Sequence, residues 1–148
     1  MQAILFCGLQ ATGKSSFFKE RFFHTHLRIS LDLLKTRNRE NLLLEYCLST
    51  QMPFVVDNTN PTVKERELYI GRAKQKSYRV VGYYFQSKLV DALQRNATRE
   101  GKQRIPDAGL RGTYSKLETP SFDEGFDELY YVELKNNEFI ISDWSNEV

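Results

Sequence analysis

Gly8-Leu9-Gln10-Ala11-Thr12-Gly13-Lys14-Ser15 satisfies G-x-x-x-x-G-K-[ST] at every fixed position. The apolar run from Gln2 to Cys7 before it reads as a buried strand, and a helix is predicted from Lys14 to about His24. The pattern therefore lies in the strand-loop-helix setting that gives it chemical meaning. In such a loop the glycines let successive backbone N–H groups turn inward onto phosphate oxygens, and the positive end of the following helix adds to the attraction. Lys14 is expected to reach the β- and γ-phosphates of a nucleoside triphosphate and the Ser15 hydroxyl to bind Mg²⁺. Gly8 through Ser16 form the candidate nucleotide-binding segment.

Outward from the loop, Arg28-Ile29-Ser30 is predicted as a short strand. A helix follows near Leu31, and another runs from about Arg39 to Ser49 with Leu42, Leu43, Tyr46 and Cys47. Pro53 to Asp57 is a third strand ending in an acid. Asn60-Pro61 has the chemistry of a helix start, since Asn caps free amides and Pro fits the first helical position; that helix is predicted to reach about Lys76. Tyr78 to Phe85 is a β-branched and aromatic strand. Ser87 is expected to cap a helix from Lys88 to about Arg99, with Leu89, Ala92, Leu93 and Asn96 on one face and Arg95 and Arg99 on one edge. The polar segment Glu100 to Arg104 is a candidate lid before a helix starting near Pro106. Strands at Leu129 to Leu134 and Phe139 to Ser142, joined by Asn136-Asn137, form a terminal hairpin. Phe17, Phe18, Phe22 and Phe23 are expected to pack as core, together with Tyr83, Tyr84 and Phe85. Strands alternating with helices imply an α/β fold, a mainly parallel central sheet with helices on both faces, carrying its ligand at the carboxyl ends of the strands.

The 148 residues, 41% hydrophobic and 27% charged, suit a single globular domain over 1–148. No apolar run approaches the roughly 20 residues of a membrane span, and the first residues lack the features of a signal peptide, so a cytoplasmic protein without membrane contact is expected. Cys7 and Cys47 have no metal or redox spacing. From Lys64 to Arg104 there are 11 lysines and arginines against 4 acids, and from Glu118 to Val148 there is 1 against 9. The centre could therefore meet phosphates and the acidic tail would repel them; solvated surface explains the tail as readily, and the centre less so.

The loop alone does not choose among kinases, GTPases and motor ATPases. The chain has no N-K-x-D guanine-reading motif and is small for a motor core, which leaves a small phosphotransferase. Here GLQATGKSS, SLDLLK, VVDNTNPTVKER, RNATREGKQRIP and PSFDEGFDELY, taken in order, resemble the polynucleotide 5′-hydroxyl kinases of phage, bacteria and eukaryotes. The resemblance implies a P-loop kinase fold and transfer of the γ-phosphate of ATP to a 5′-hydroxyl end of RNA or DNA. It also implies Asp32 as general base on the attacking hydroxyl. A 5′-hydroxyl is a poor nucleophile until a positioned acceptor takes its proton; Asp32 also fits the first turn of a helix by charge alone. Lys35 stands where the family usually has an arginine gripping the acceptor phosphate, and keeps the charge without the fork. Asp57, Asn58 and Thr59 are implied as acceptor pocket, with Asp57 also a candidate for Mg²⁺. Arg95 and Arg99 match paired arginines leading into the lid. Arg99 is the candidate for stabilising transition-state charge and Arg95 for contacting the nucleotide; Lys102 and Arg104 would steer anions.

No D-x-D-x-T phosphatase motif is present, so the expectation is a stand-alone kinase that prepares 5′-phosphate ends for a ligase on another chain. Two alternatives stay open: a small-molecule kinase acting on a nucleoside, sugar or antibiotic hydroxyl, and a non-catalytic nucleotide-binding switch.

Overall fold

The computed structural model describes residues 1–145. Six strands form one sheet in the order β2-β3-β1-β4-β5-β6: β1 (Gln2–Cys7), β2 (Leu27–Ile29), β3 (Phe54–Val56), β4 (Arg79–Phe85), β5 (Glu128–Lys135) and β6 (Glu138–Asp143). All neighbours pair in parallel except β5 and β6, which form an antiparallel hairpin. At its turn Asn136 and Asn137 both adopt positive φ, 52° and 60°, the geometry that lets a two-residue turn follow the twist of its strands.

Strand periodicity divides the core between the two faces of the sheet. Ala3 and Leu5 of β1 join Phe54, Val56 and Val80 beneath α3 (Arg37–Thr50) and α4 (Val63–Gln75). Ile4 and Phe6 point the other way, onto Phe17 and Phe18 of α1 (Lys14–Arg21). A smaller cluster seats Leu9 against Ala92 of α5 (Leu89–Ala97) and Leu110 of α6 (Asp107–Lys116). The phosphate loop is thereby packed from both sides. Among the described residues no helix is long and apolar enough to cross a membrane.

Several local expectations change. α1 closes at Arg21, and Phe23 lies in the turn after it, 61% exposed, whereas Phe17 and Phe18 are buried. Leu42 and Tyr46 occupy the solvent side of α3, because Leu44, Cys47 and Leu48 already fill its inward face. Asn60 caps no helix. Its backbone is left-handed, and its amide donates to Phe6 O at 2.7 Å; the cap of α4 is Thr62, in a reciprocal capping box with Glu65. Ser87 likewise caps nothing: its hydroxyl donates to Phe85 O and accepts the Leu9 amide at 3.0 Å.

The acidic stretch after Pro120 has a structural explanation. Arg66 is fully buried and pairs in fork geometry with Glu124, Nε to Oε1 at 2.7 Å and Nη2 to Oε2 at 3.1 Å. Its remaining nitrogen donates to Asn60 O at 2.8 Å. A buried guanidinium needs such complete pairing, and the result ties the 120–126 segment to the turn that follows β3.

Candidate functional site

The carboxyl ends of β1, β2 and β3 open into a cleft of about 690 Å³. The phosphate loop forms one wall through Gln10, Ala11, Lys14, Ser15 and Ser16. The one-turn helix α2 (Leu31–Leu34) with its cap supplies Asp32 and Lys35, the turn after β3 supplies Asp57, Asn58 and Thr59, and the segment after α5 supplies Arg99, Lys102 and Gln103. Parallel sheets place their ligands at this end.

The loop is shaped by its own side chains. The Gly8 amide donates to Thr59 O at 3.0 Å, and Thr12 Oγ1 donates to Leu9 O at 2.7 Å. Gly13 has φ 94°, and a Cβ there would stand 2.9 Å from the Phe139 ring, so only glycine lets β6 close over the loop. Leu9 is buried in the core, with its amide committed to Ser87. Lys14 folds back, donating through Nζ to Gly8 O at 3.0 Å, Thr12 Oγ1 at 3.3 Å and Leu9 O. Burial pulls its ammonium down to about 8, with Asp57 acting in the opposite direction. These carbonyls hold the lysine where an arriving phosphate would compete for it.

At the loop's other end Ser15 Oγ donates to Asp57 Oδ2 at 3.0 Å. Arg28, from β2, lies against both: Nε donates to the same Asp57 oxygen at 2.8 Å and Nη2 to Ser15 Oγ at 3.0 Å. A hydroxyl and a carboxylate converging on a position already held by positive charge suit a hard cation such as Mg²⁺. Among the described residues no group of three or more His, Cys, Asp or Glu could hold a metal, so such an ion would rely on Ser15, Asp57, water and nucleotide phosphates.

Asp32 is exposed on α2, facing the cleft beside Lys35, whose backbone is left-handed at φ 74°. Asn58 bridges inward: its Oδ1 accepts the Leu31 amide at 2.9 Å and its Nδ2 donates to Glu40 Oε2 at 2.9 Å. The two candidate lid arginines separate. α5 ends at Ala97, so Arg99 lies beyond it, lining the cleft and donating weakly to Gln103 O at 3.4 Å. Arg95 stays on α5 and turns toward β5, 3.4 Å from Leu134 O, outside the lining of the cleft. Asn96 clamps the candidate lid segment through two bonds to the Ile105 backbone, at 2.7 and 3.0 Å.

Sequence reasoning missed Arg28 and Glu40. Arg28 carried one signal: it alternates with the core-facing Leu27 and Ile29 at the carboxyl end of a strand, the end where ligands bind. Glu40 carried none, since an acid in a first helical turn is ordinarily solvent-exposed.

The glycine loop at the end of the central strand, with an acid just after the adjacent strand and Arg99 lining the opposite side of the cleft, sits in the α/β fold of the P-loop kinases. No family model matches it. Among curated proteins it is 24% identical over 138 residues to the bifunctional polynucleotide phosphatase/kinase of Schizosaccharomyces pombe, covering 90% of this chain and 34% of that protein. It is 26% identical over 136 residues to the L-seryl-tRNA(Sec) kinase of Methanococcus maripaludis, covering 79% of this chain and 52% of that protein. The chain thus spans about a third and about half of the length of these two relatives. Among solved structures, a gluconokinase from Sinorhizobium meliloti superposes with a TM-score of 0.65 at 17% identity, over 89% of this chain and 82% of that one.

Proposed function

We propose that this protein transfers the γ-phosphate of ATP to the 5′-hydroxyl end of a polynucleotide, RNA or DNA. The observation that carries the reading is the facing arrangement in one cleft of Lys14 and Ser15 with Asp32 and Lys35. The order of motifs shared with polynucleotide kinases and the likeness to a polynucleotide phosphatase/kinase support the acceptor class.

In this reading the phosphate loop binds the triphosphate and Lys14 leaves its carbonyls for the β- and γ-phosphates. Ser15 and Asp57 would hold a Mg²⁺ ion, which would supply charge neutralisation and alignment. Asp32 accepts the proton of the 5′-hydroxyl as its oxygen bonds to the γ-phosphorus, and the bond to the β–γ bridging oxygen breaks to release ADP. Arg99, brought in by the lid, stabilises charge on the equatorial oxygens. Lys35, with Asn58 and Thr59, holds the acceptor phosphate. Arg95, outside the cleft lining beside the β5–β6 hairpin, would reach the adenine of the nucleotide rather than its phosphates. A 5′-phosphate end is a substrate for a nucleic-acid ligase, which would act next.

The test is transfer of labelled γ-phosphate from Mg·ATP to 5′-hydroxyl RNA and DNA oligonucleotides, with mononucleosides and sugars alongside. Label on oligonucleotides is expected. Label on small acceptors alone would instead establish the second reading, a small-molecule kinase, which the likeness to a gluconokinase favours. Binding of ATP without transfer to any acceptor would establish a switch.

A further inference from the structure

Glu40 is 2% exposed, yet it carries a carboxylate. Burying an ionisable group is costly unless each oxygen is fully engaged. Here Oε1 accepts from Tyr69 at 2.7 Å and from Arg37 at 2.9 Å, and Oε2 accepts from Asn58 at 2.9 Å. Helix capping does not need this acid, because Thr36 caps α3 through the Arg39 amide.

The Asn58 bond is the directional one. An amide that donates through Nδ2 to a carboxylate must present Oδ1 on its other side, and Oδ1 accepts the Leu31 amide. Leu31 opens α2, which has four residues, none of them buried. Its own cap residue, Ser30, makes no capping bond, and its buried hydroxyl oxygen has no hydrogen-bond partner. One helical turn has almost no stability of its own, so the placement of α2 comes from outside it. We infer that Glu40 is a positioning residue: through the Asn58 amide it holds the first turn of α2, and with it Asp32, at the mouth of the cleft. This rests on the reading of Asp32 as acceptor base, but the relay itself is open to a separate measurement.

The experiment compares amide hydrogen exchange, by NMR on the intact chain, in the wild type, Glu40→Met and Tyr69→Phe. Tyr69→Phe removes a partner from the same carboxylate without touching Asn58. In Glu40→Met the Leu31 amide is expected to exchange ~10-fold faster, the effect of freeing one hydrogen bond, while the Glu65 amide, capped by Thr62 on α4, is unchanged. Tyr69→Phe is expected to leave Leu31 at the wild-type rate. Should Glu40→Met not accumulate folded, Glu40→Leu, which likewise offers Asn58 no acceptor, takes its place under the same criteria.

Transfer assays on the same proteins should show a lower kcat/KM for the acceptor in the Glu40 variant, with unchanged nucleotide affinity. An unaltered Leu31 rate, equal acceleration at Glu65, or equal acceleration in Tyr69→Phe would overturn the relay. If the wild type phosphorylates no acceptor while the exchange pattern holds, the acceptor reading falls and the relay stands.

Discussion

Arg28 donates through Nε to Asp57 at 2.8 Å, so a guanidinium from β2 neutralises the acid proposed to face Mg²⁺. The same group reaches Ser15 Oγ, the proposed metal-binding hydroxyl. The guanidinium and a Mg²⁺ ion would therefore compete for one position. Arg28→Gln is expected to lower by ~5-fold the Mg²⁺ concentration that half-saturates fluorescent ADP binding, in line with the loss of one partly exposed ion pair. The nucleotide-free variant should also melt lower than the wild type, with Mg·ADP closing the gap. A higher Mg²⁺ requirement would make Arg28 a helper of the metal site instead.

Asp32 and Lys14 act on different reactants in the proposed mechanism. Asp32→Ala should reduce transfer by ~10² to 10⁴, the usual range for a general base, and keep its ATP affinity. Lys14→Ala should lose transfer and weaken ATP binding together. Single-turnover kinetics with equilibrium nucleotide binding separates the two, and a fully active Asp32→Ala would remove the base assignment.

Arg99, in the candidate lid segment, lines the cleft and donates only weakly, at 3.4 Å, to Gln103 O. Arg99→Ala is expected to lower kcat by ~10³ with little change in ATP affinity, as for a group acting mainly on transition-state charge. Loss of affinity with kcat preserved would make it a binding residue.

The Arg66–Glu124 pair is buried on both sides, and breaking such a pair leaves an uncompensated charge. Glu124→Gln should destabilise the protein by ~3 kcal/mol, measured by urea unfolding. The turn carrying Asn58, Thr59 and Asn60 should loosen with it, because Arg66 holds Asn60 O.

Asp127 accepts the Val80 amide at 2.8 Å and pairs with Lys74, and these two partners hold its carboxyl below the usual carboxylate value. A carboxylate depressed in the folded state contributes stability that is present above the unfolded value, ~3.9, and disappears as pH falls through the folded value. Asp127→Asn should therefore melt a few degrees below the wild type at pH 7 and approach it in acid below that value. A gap independent of pH would assign the residue a purely neutral hydrogen-bonding role.

Much of the fold was legible in the chain because its signals are local. The apolar run Gln2–Cys7 and the helical spacing of Phe17 and Phe18 are decided within a few residues. Asn136-Asn137 marked the hairpin, and the loop from Gly8 to Ser15 announced its own backbone. Helix starts were less legible. Asn60-Pro61 has the chemistry of a cap, but Asn60 is drawn instead into bonds with Phe6 and Arg66, which no local pattern encodes.

The sequence by itself determined the element order and the phosphate loop with Lys14 and Ser15, since these follow from residue type and spacing along the chain; Asp32, Asp57 and Arg99 joined the candidate set through the resemblance to the polynucleotide kinases. Only the tertiary structure decided what those groups touch. Arg28 meets Asp57 across 29 residues, and Glu40 reaches Leu31 only through Asn58, 27 residues further along the chain from Leu31. Arg95 parts from Arg99 because α5 ends between them. Hydrogen bonds and ion pairs act over about 3 Å in space, without regard to separation along the chain, so their partners emerge only once parallel strands bring distant segments side by side.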